Sequence, residues 1–216
     1  MSRAHPDYIV VEGPIGVGKT SLARRLATTF GTELLLEGAD ENPFLERFYR
    51  NPGQNALPTQ LFFLFQRARQ MQELRQRDIF APVRVADFLI EKDRLFAQLI
   101  LDDEELKLYD QVYSSLTLDA PTPDLVIYLQ APADVLDRRI RQRGIPHEQM
   151  ITTEYLGRVV DAYARLFHLY SASPLLIVNA SAIDLLNNEA DYNRLLERIC
   201  SIRSGRHYYN PLPDTL

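Results

Sequence analysis

Cysteine is almost absent: the 216 residues contain one, Cys200. No disulfide can form within the chain, so a reducing cytoplasm is the expected compartment. No apolar run approaches the about 20 residues needed to span a bilayer. The first residues, Met1–Asp7, are short and polar and lack the apolar stretch of a secretory signal. Basic charge is in deficit, with 24 lysines and arginines against 29 acidic residues and a net charge of −5. A broad nucleic-acid surface is therefore not expected, although a locally basic pocket remains compatible with this balance. Repeats and low-complexity linkers are missing too. What is present is ordinary globular composition, 46% hydrophobic and 25% charged, at a length that fits one domain over residues 1–216.

Short apolar runs alternate with longer helical patterns. Tyr8–Glu12 reads as a buried strand, followed by a Gly-rich turn and a helix over about 18–30. Glu33–Glu37 reads as a second strand. Asn42–Arg50 reads as a short helix capped by Asn42, with Pro43 at its first position. Asn55–Asp78 reads as a long helix, entered at Pro58. Val83–Asp87 is a third strand, followed by helices over about 91–100 and 102–117. Leu125–Gln130 is a fourth strand and 132–143 a helix. A helix over 152–171, a strand Leu175–Val178 and a helix over 185–201 complete the pattern. The tail 204–216 carries Gly, Pro and Asn and is expected to be irregular. Strands rich in Val, Ile and Leu, each followed by helix, predict an α/β fold: five parallel strands flanked by helices on both faces. Ligands in such folds bind outside the carboxyl ends of the strands, where Gly13, Glu37 and Asp87 fall.

Residues 13–20 read GPIGVGKT, the P-loop pattern, between a strand and a helix. Its glycines let successive N–H groups turn inward toward phosphate oxygens, and the helix N-terminus adds partial positive charge. Gly13, Pro14, Ile15, Gly16, Val17 and Gly18 form the cradle. Lys19 is expected to reach the β- and γ-phosphates, Thr20 to offer its hydroxyl to Mg²⁺, and Ser21 to assist. A P-loop alone does not separate kinases from GTPases or motor ATPases. The chain lacks an NKxD-type guanine-reading motif and is short for a motor.

The charged residues around the loop each admit two roles. Glu37, ending a strand, fits a carboxylate that orients or deprotonates a hydroxyl attacking the γ-phosphorus, or a solvated acid at a strand end. Asp87 fits a Mg²⁺ ligand or a helix cap. Arg138, Arg139, Arg141 and Arg143 precede Gly144 and Pro146. They fit a lid over about 139–150 that closes on ATP, with Arg139 and Arg143 on one face, or a solvated basic helix. Gln60 and Arg67 share a helix face. Glutamine pairs bidentately with a base edge, and Phe62, Phe63 and Phe65 either stack on a flat ligand or fill the core.

In this order the motifs resemble the deoxynucleoside kinase family, particularly its bacterial deoxyadenosine and deoxyguanosine kinases. The resemblance runs from Tyr8 to about Val178. It rests on ENPFLERFY (41–49), TQLFFLFQRARQ (59–70), ADFLIEKDRLFA (86–97), PDLVIYLQAP (123–132) and RIRQRG (139–144) followed by His147-Glu148. It implies a P-loop kinase fold with a lid, using ATP and Mg²⁺ to phosphorylate the 5′-hydroxyl of a deoxynucleoside. Glu37 is implied as the base, Asp87 as the first acid of the family's Glu/Asp-Arg-Ser motif, and Tyr49 and Glu148 as ligands of the sugar 3′-hydroxyl. Gln60 is implied as the base reader, Arg67 and Asp93 as the pair shaping the base pocket, and Arg139 and Arg143 as lid arginines. The family's dimers form through a helix bundle, so helices 55–78 and 91–117 are implied as a homodimer face. Three positions depart from the pattern. Phe88 and Leu89 replace the arginine and serine after Asp87, and Ile145 replaces a third lid arginine. The missing positive charge is expected from Arg139.

These readings lead to one expectation: phosphorylation of a purine deoxynucleoside, with deoxycytidine as the near alternative. Two other functions remain open at this stage. A nucleoside monophosphate acceptor would need extra basic residues, with Arg47 and Arg67 as candidates. A non-catalytic nucleotide-binding protein draws support from Phe88.

Overall fold

The structure is a computed structural model and describes residues 6–76, 84–117, 120–181, 183 and 188–211. Six parallel strands form one sheet: β1 (Tyr8–Glu12), β2 (Glu33–Leu35), β3 (Arg84–Ala86), β4 (Leu125–Gln130), β5 (Leu175–Asn179) and β6 (Arg206–Tyr209). Their spatial order is β2-β3-β1-β4-β5-β6. The chain leaves β1 toward β2 and β3 on one side and later returns to β4 on the other, so the crevice opens at the end of β1. The sheet has one strand more than the sequence predicts. β6 lies in the tail expected to be irregular: its Arg-His-Tyr-Tyr has no aliphatic residue, and pairing with β5 at the sheet edge supplies the order.

Alternation along the strands divides the core in two. Ile9, Val11, Leu125, Ile127, Leu129, Leu176 and Val178 face the side covered by α1 (Lys19–Phe30), α6 (Ala133–Arg143) and α8 (Glu189–Ser201). Val10, Val126, Tyr128, Leu175 and Ile177 face the other side, where α3 (Pro52–Gln76), α4 (Lys92–Ile100) and α7 (Thr153–Leu169) pack. This period of two buries both faces of the sheet. A smaller cluster, Leu64, Ala97 and Tyr109, joins α3 and α4 to α5 (Asp103–Thr117).

Several boundaries differ from expectation for local reasons. Asn42 does not cap a helix starting at Pro43. Its Oδ1 accepts from the Phe44 N–H at 3.0 Å and its Nδ2 donates to the Thr59 carbonyl at 3.1 Å, and α2 spans Leu45–Arg50. α3 begins at Pro52 and runs through Pro58 instead of starting there. The Thr59 hydroxyl bonds the Asn55 carbonyl at 2.6 Å beside that break. α8 starts at Glu189 because the Asn188 side chain accepts from the Ala190 and Asp191 N–H groups. Residues 77 and 78 of the expected long helix, Val83, residues 185–187 of the last helix and the tail from 212 lie outside the described residues.

Candidate active site

β1 delivers the chain into the loop 13–18, and α1 begins at Lys19. Gly13 has φ +150, and a Cβ there would meet the Leu129 carbonyl oxygen of β4 at 2.4 Å. Gly16 has φ +82, and a Cβ there would meet Ile140 and the Leu136 carbonyl of α6 at 2.9 and 3.0 Å. Only glycine permits this close approach. No side chain caps the first turn of α1, so its N–H groups face the cleft. Lys19 Nζ donates to the Pro14 carbonyl at 3.3 Å. Burial lowers the Lys19 pKa and the neighbouring Lys92 charge lowers it further, against the pull of Glu12, Glu37 and Asp87.

Glu37 lies two residues beyond the end of β2 and is not a solvated acid, since its side chain is 19% exposed. One carboxylate oxygen accepts from Arg67 and the other from Lys92 Nζ at 2.7 Å. Burial alone would raise its pKa, but Arg67, Lys92 and Lys19 outweigh burial and hold the carboxyl well below its usual range. Asp87 caps no helix, as α4 starts at Lys92. Its two oxygens instead accept from the Thr20 hydroxyl at 2.5 Å and the Glu37 N–H at 2.8 Å. One buried carboxylate thus ties the phosphate loop to the segment carrying Glu37.

These groups line one cavity of about 380 Å³. Gly16, Gly18, Lys19, Thr20, Ser21, Glu37, Asp87, Tyr49, Gln60, Phe63 and Arg67 all line it, and the hydrogen bonds Thr20–Asp87, Glu37–Asp87 and Arg67–Glu37 link the phosphate loop through the two carboxylates to Arg67. Arg67 is buried, bonds Asp93 as well as Glu37, and holds its guanidinium 5.0 Å from the Phe63 ring. Two atoms of this pair, Arg67 Nε and Asp93 Oδ2, are buried without a partner. Tyr49 stacks on His147 at 5.9 Å, and burial pushes its phenol up. Glu148, on the short 3₁₀ turn Pro146–Met150, accepts from Arg143. A phosphate cradle linked through a pair of carboxylates to a half-polar slot suits transfer of a phosphoryl group to a small hydroxyl compound.

The chain matches the family described as deoxynucleoside kinase over residues 9–203. The chain belongs to that family. A deoxyguanosine kinase of Bacillus subtilis (strain 168) is 34% identical over 198 residues, covering 89% of this chain and 95% of the relative. A deoxyadenosine kinase of Lactobacillus acidophilus is 30% identical over 207 residues, covering 89% and 94%. Among solved structures, the deoxyadenosine kinase from M. mycoides with dCMP and dCDP superposes with a TM-score of 0.80 at 22% identity, covering 90% of this chain and all of that one. The same enzyme with bound dATP gives 0.78. These likenesses establish the P-loop kinase fold.

Within the deoxynucleoside kinase frame, most of the residues expected from sequence meet in the one cavity, but three expectations change. Arg139 does not line it. Its guanidinium donates to the Val17 carbonyl at 3.3 Å and the Ala180 carbonyl at 2.8 Å, bracing the phosphate loop from outside. The cations beside Glu37 are therefore Arg67 and Lys92, not Arg139. Of the three phenylalanines, Phe63 lines the cavity while Phe65 is 54% exposed. Sequence reasoning also missed Glu12, which is fully buried. Its oxygens accept from the Gly13 N–H at 2.8 Å, the Leu89 N–H at 2.8 Å and the Tyr163 hydroxyl at 3.0 Å. A charged residue closing an apolar strand, Tyr8–Glu12, was the available signal.

Proposed function

We propose that the chain transfers the γ-phosphoryl group of ATP to the 5′-hydroxyl of a purine deoxynucleoside, deoxyguanosine or deoxyadenosine. The observation that carries this reading is the Glu37 carboxylate between the phosphate loop and the Gln60–Phe63–Arg67 slot. Gly13, Pro14, Ile15, Gly16, Val17, Gly18, Lys19, Thr20 and Ser21 hold the triphosphate. Glu37 orients the hydroxyl and accepts its proton. Tyr49 and Glu148 take the 3′-hydroxyl, and Gln60 with the Arg67–Asp93 pair reads the base. Arg67 lines the cavity, which supports that role, and Asp93, fully buried and outside the cavity lining, acts through its ion pair with Arg67. Arg143 and Arg139 belong to the lid over 139–150, with Arg139 acting through the loop it braces.

Thr20 and Asp87 offer two adjacent hard oxygen donors, which fits Mg²⁺. That ion binds through one or two protein groups plus phosphates and does not require a protein cage. When bound it neutralises phosphate charge. Among the described residues no group of three or more His, Cys, Asp or Glu side chains is placed to hold a metal ion by itself. A monophosphate acceptor loses its support, because Arg67 is engaged by two carboxylates and Arg47 is exposed on α2, outside the cavity. Deoxycytidine stays as the second reading, favoured by the 29% identity to a deoxyadenosine/deoxycytidine kinase of Bacillus subtilis. A panel of four deoxynucleosides and their ribo-counterparts with Mg-ATP decides: highest kcat/KM on a purine deoxynucleoside is expected, and no turnover on any of the eight overturns the reading.

The reading extends to nucleoside salvage in the cytoplasm, where one cysteine is unremarkable. Among the described residues no helix is long and apolar enough to cross a membrane. It also extends to a homodimer through α3 and α5, where Phe65 is 54% and Leu108 50% exposed. Leu108→Glu is expected to convert a dimer to a monomer in sedimentation experiments. A parent chain that already sediments as a monomer rules the dimer out.

A further inference from the structure

Phe88 occupies the position of the family's arginine and is fully buried among Val10, Tyr128 and Tyr163, so it brings no charge to the cleft. Besides Arg67, a second positive charge beside Glu37 comes from four residues later. Lys92 opens α4, is 2% exposed and lines the cavity. Its Nζ lies 2.7 Å from Glu37 Oε2 and 3.6 Å from Glu12 Oε2. It is also close enough to Lys19 for the two charges to repel. Lys92 therefore touches the group proposed to activate the acceptor and acts electrostatically on the lysine proposed to hold the donor phosphates.

We propose that Lys92 is a catalytic residue, the cation that stabilises the transferring phosphoryl group in place of the arginine absent at Phe88. The inference rests on the kinase reading above. Neutralising Glu12 does not account for this lysine. Glu12 already accepts from two backbone N–H groups and the Tyr163 hydroxyl, and Lys92 sits nearer to Glu37 than to Glu12. An ammonium carries three donors, and burying it is costly unless they find partners. Glu37 takes one, Glu12 lies 3.6 Å away, beyond hydrogen-bond reach, and the residue lines the cavity in which the phosphates are proposed to bind. In the reaction the 5′-oxygen bonds to the γ-phosphorus as the bond to the β,γ-bridging oxygen breaks. ADP leaves with that electron pair, and the hydroxyl proton passes to Glu37. Once protonated, Glu37 holds Lys92 less strongly, and the ammonium turns to the phosphoryl oxygens while remaining charged itself. The stabilisation thus grows as the reaction proceeds, which is what accelerates a chemical step.

The test compares the unaltered chain with Lys92→Met and Lys92→Gln, using Mg-ATP and deoxyguanosine, with rates referred to the concentration of nucleoside-binding sites. Both variants are expected to lose about 10²–10³ in kcat, while the nucleoside Kd changes less than about fivefold. Turnover within about threefold of the parent overturns the proposal, as does a raised KM with kcat retained. A purely structural role lowers the number of binding sites without lowering the rate per site. An unaltered chain that phosphorylates no deoxynucleoside refutes the kinase reading itself and this inference with it. An active parent with variants of parent-like turnover refutes only the role of Lys92. A crystal structure of the unaltered chain with Mg²⁺, ADP, aluminium fluoride and deoxyguanosine needs no variant to fold. Lys92 Nζ within about 3.2 Å of a fluoride supports the proposal, and an ammonium still bound only to Glu12 and Glu37 refutes it.

Discussion

Glu37 meets Arg67 and Lys92 at once, and its depressed pKa means that it is ionised throughout the neutral range. A carboxylate held so firmly is a weak base, so the role proposed for it is mainly to orient the hydroxyl and to receive the proton late, when phosphoryl transfer is well advanced. Glu37→Gln preserves shape and removes the acceptor. It is expected to lower kcat by roughly 10²–10⁴ with Mg-ATP affinity nearly unchanged, read from steady-state kinetics and calorimetry; near-normal turnover would remove Glu37 from the chemistry. Glu12 makes a second residue-scale case. Its buried carboxylate depends on the Tyr163 hydroxyl as well as on backbone N–H groups. Hydrogen bonds to charged groups contribute about 1.5–3 kcal/mol. Tyr163→Phe is therefore expected to lower the melting temperature by roughly 3–10 °C, and a scan showing no shift would mean that the two N–H groups suffice.

At the scale of elements, the phosphate loop is where backbone and packing constrain each other most. Gly13→Ala would drive a Cβ into the Leu129 carbonyl of β4, a backbone atom that cannot swing aside. The loop must shift, and Mg-ATP affinity is expected to fall at least about tenfold, since misplacement by about 1 Å is costly where geometry carries the function. Unchanged affinity by calorimetry would show that the loop tolerates the displacement. This element was fully legible in the sequence because its glycines, lysine and flanking period change all mark it. β4 was legible to the residue, as five consecutive buried aliphatic or aromatic side chains have no other use in a parallel sheet. β6 was not, because Arg206–Tyr209 gains its order from β5 and not from its own composition. Lys92 was not legible either: a lysine between Glu91 and Asp93 reads as surface, and only the fold, which sets it against Glu37 and Glu12, shows it to be buried. Arg139 was placed on the correct helix but assigned the wrong partners, since its i, i+4 relation to Arg143 does not fix which way a long side chain turns.

Across the whole molecule, the cleft in this state is paired with itself. Thr20 bonds Asp87, Arg67 bonds Glu37, and Arg143 bonds Glu148. The first two pairs each join groups assigned to the same ligand, whereas the third joins a group assigned to the nucleoside with one assigned to phosphate. In that Arg143–Glu148 pair, a sugar 3′-hydroxyl that engages Glu148 loosens its hold on an arginine assigned to phosphate. Whichever ligand arrives first relieves part of the competition that the second would meet, so the two bindings are coupled through one ion pair. Coupling of this kind is reciprocal. Deoxyguanosine is therefore expected to tighten Mg-ADP binding, and Mg-ADP to tighten deoxyguanosine binding, by the same factor, on the order of fivefold or more. Mg-ADP is the right probe because it cannot react. Glu148→Gln keeps the hydroxyl partner while removing the charge that holds Arg143, and is expected to reduce the coupling while leaving deoxyguanosine bound. Calorimetric titration of each ligand with and without the other reads the factor. Affinities that do not depend on the second ligand would mean that the cleft opens its two ends independently and that the ion pair plays no part in joining them.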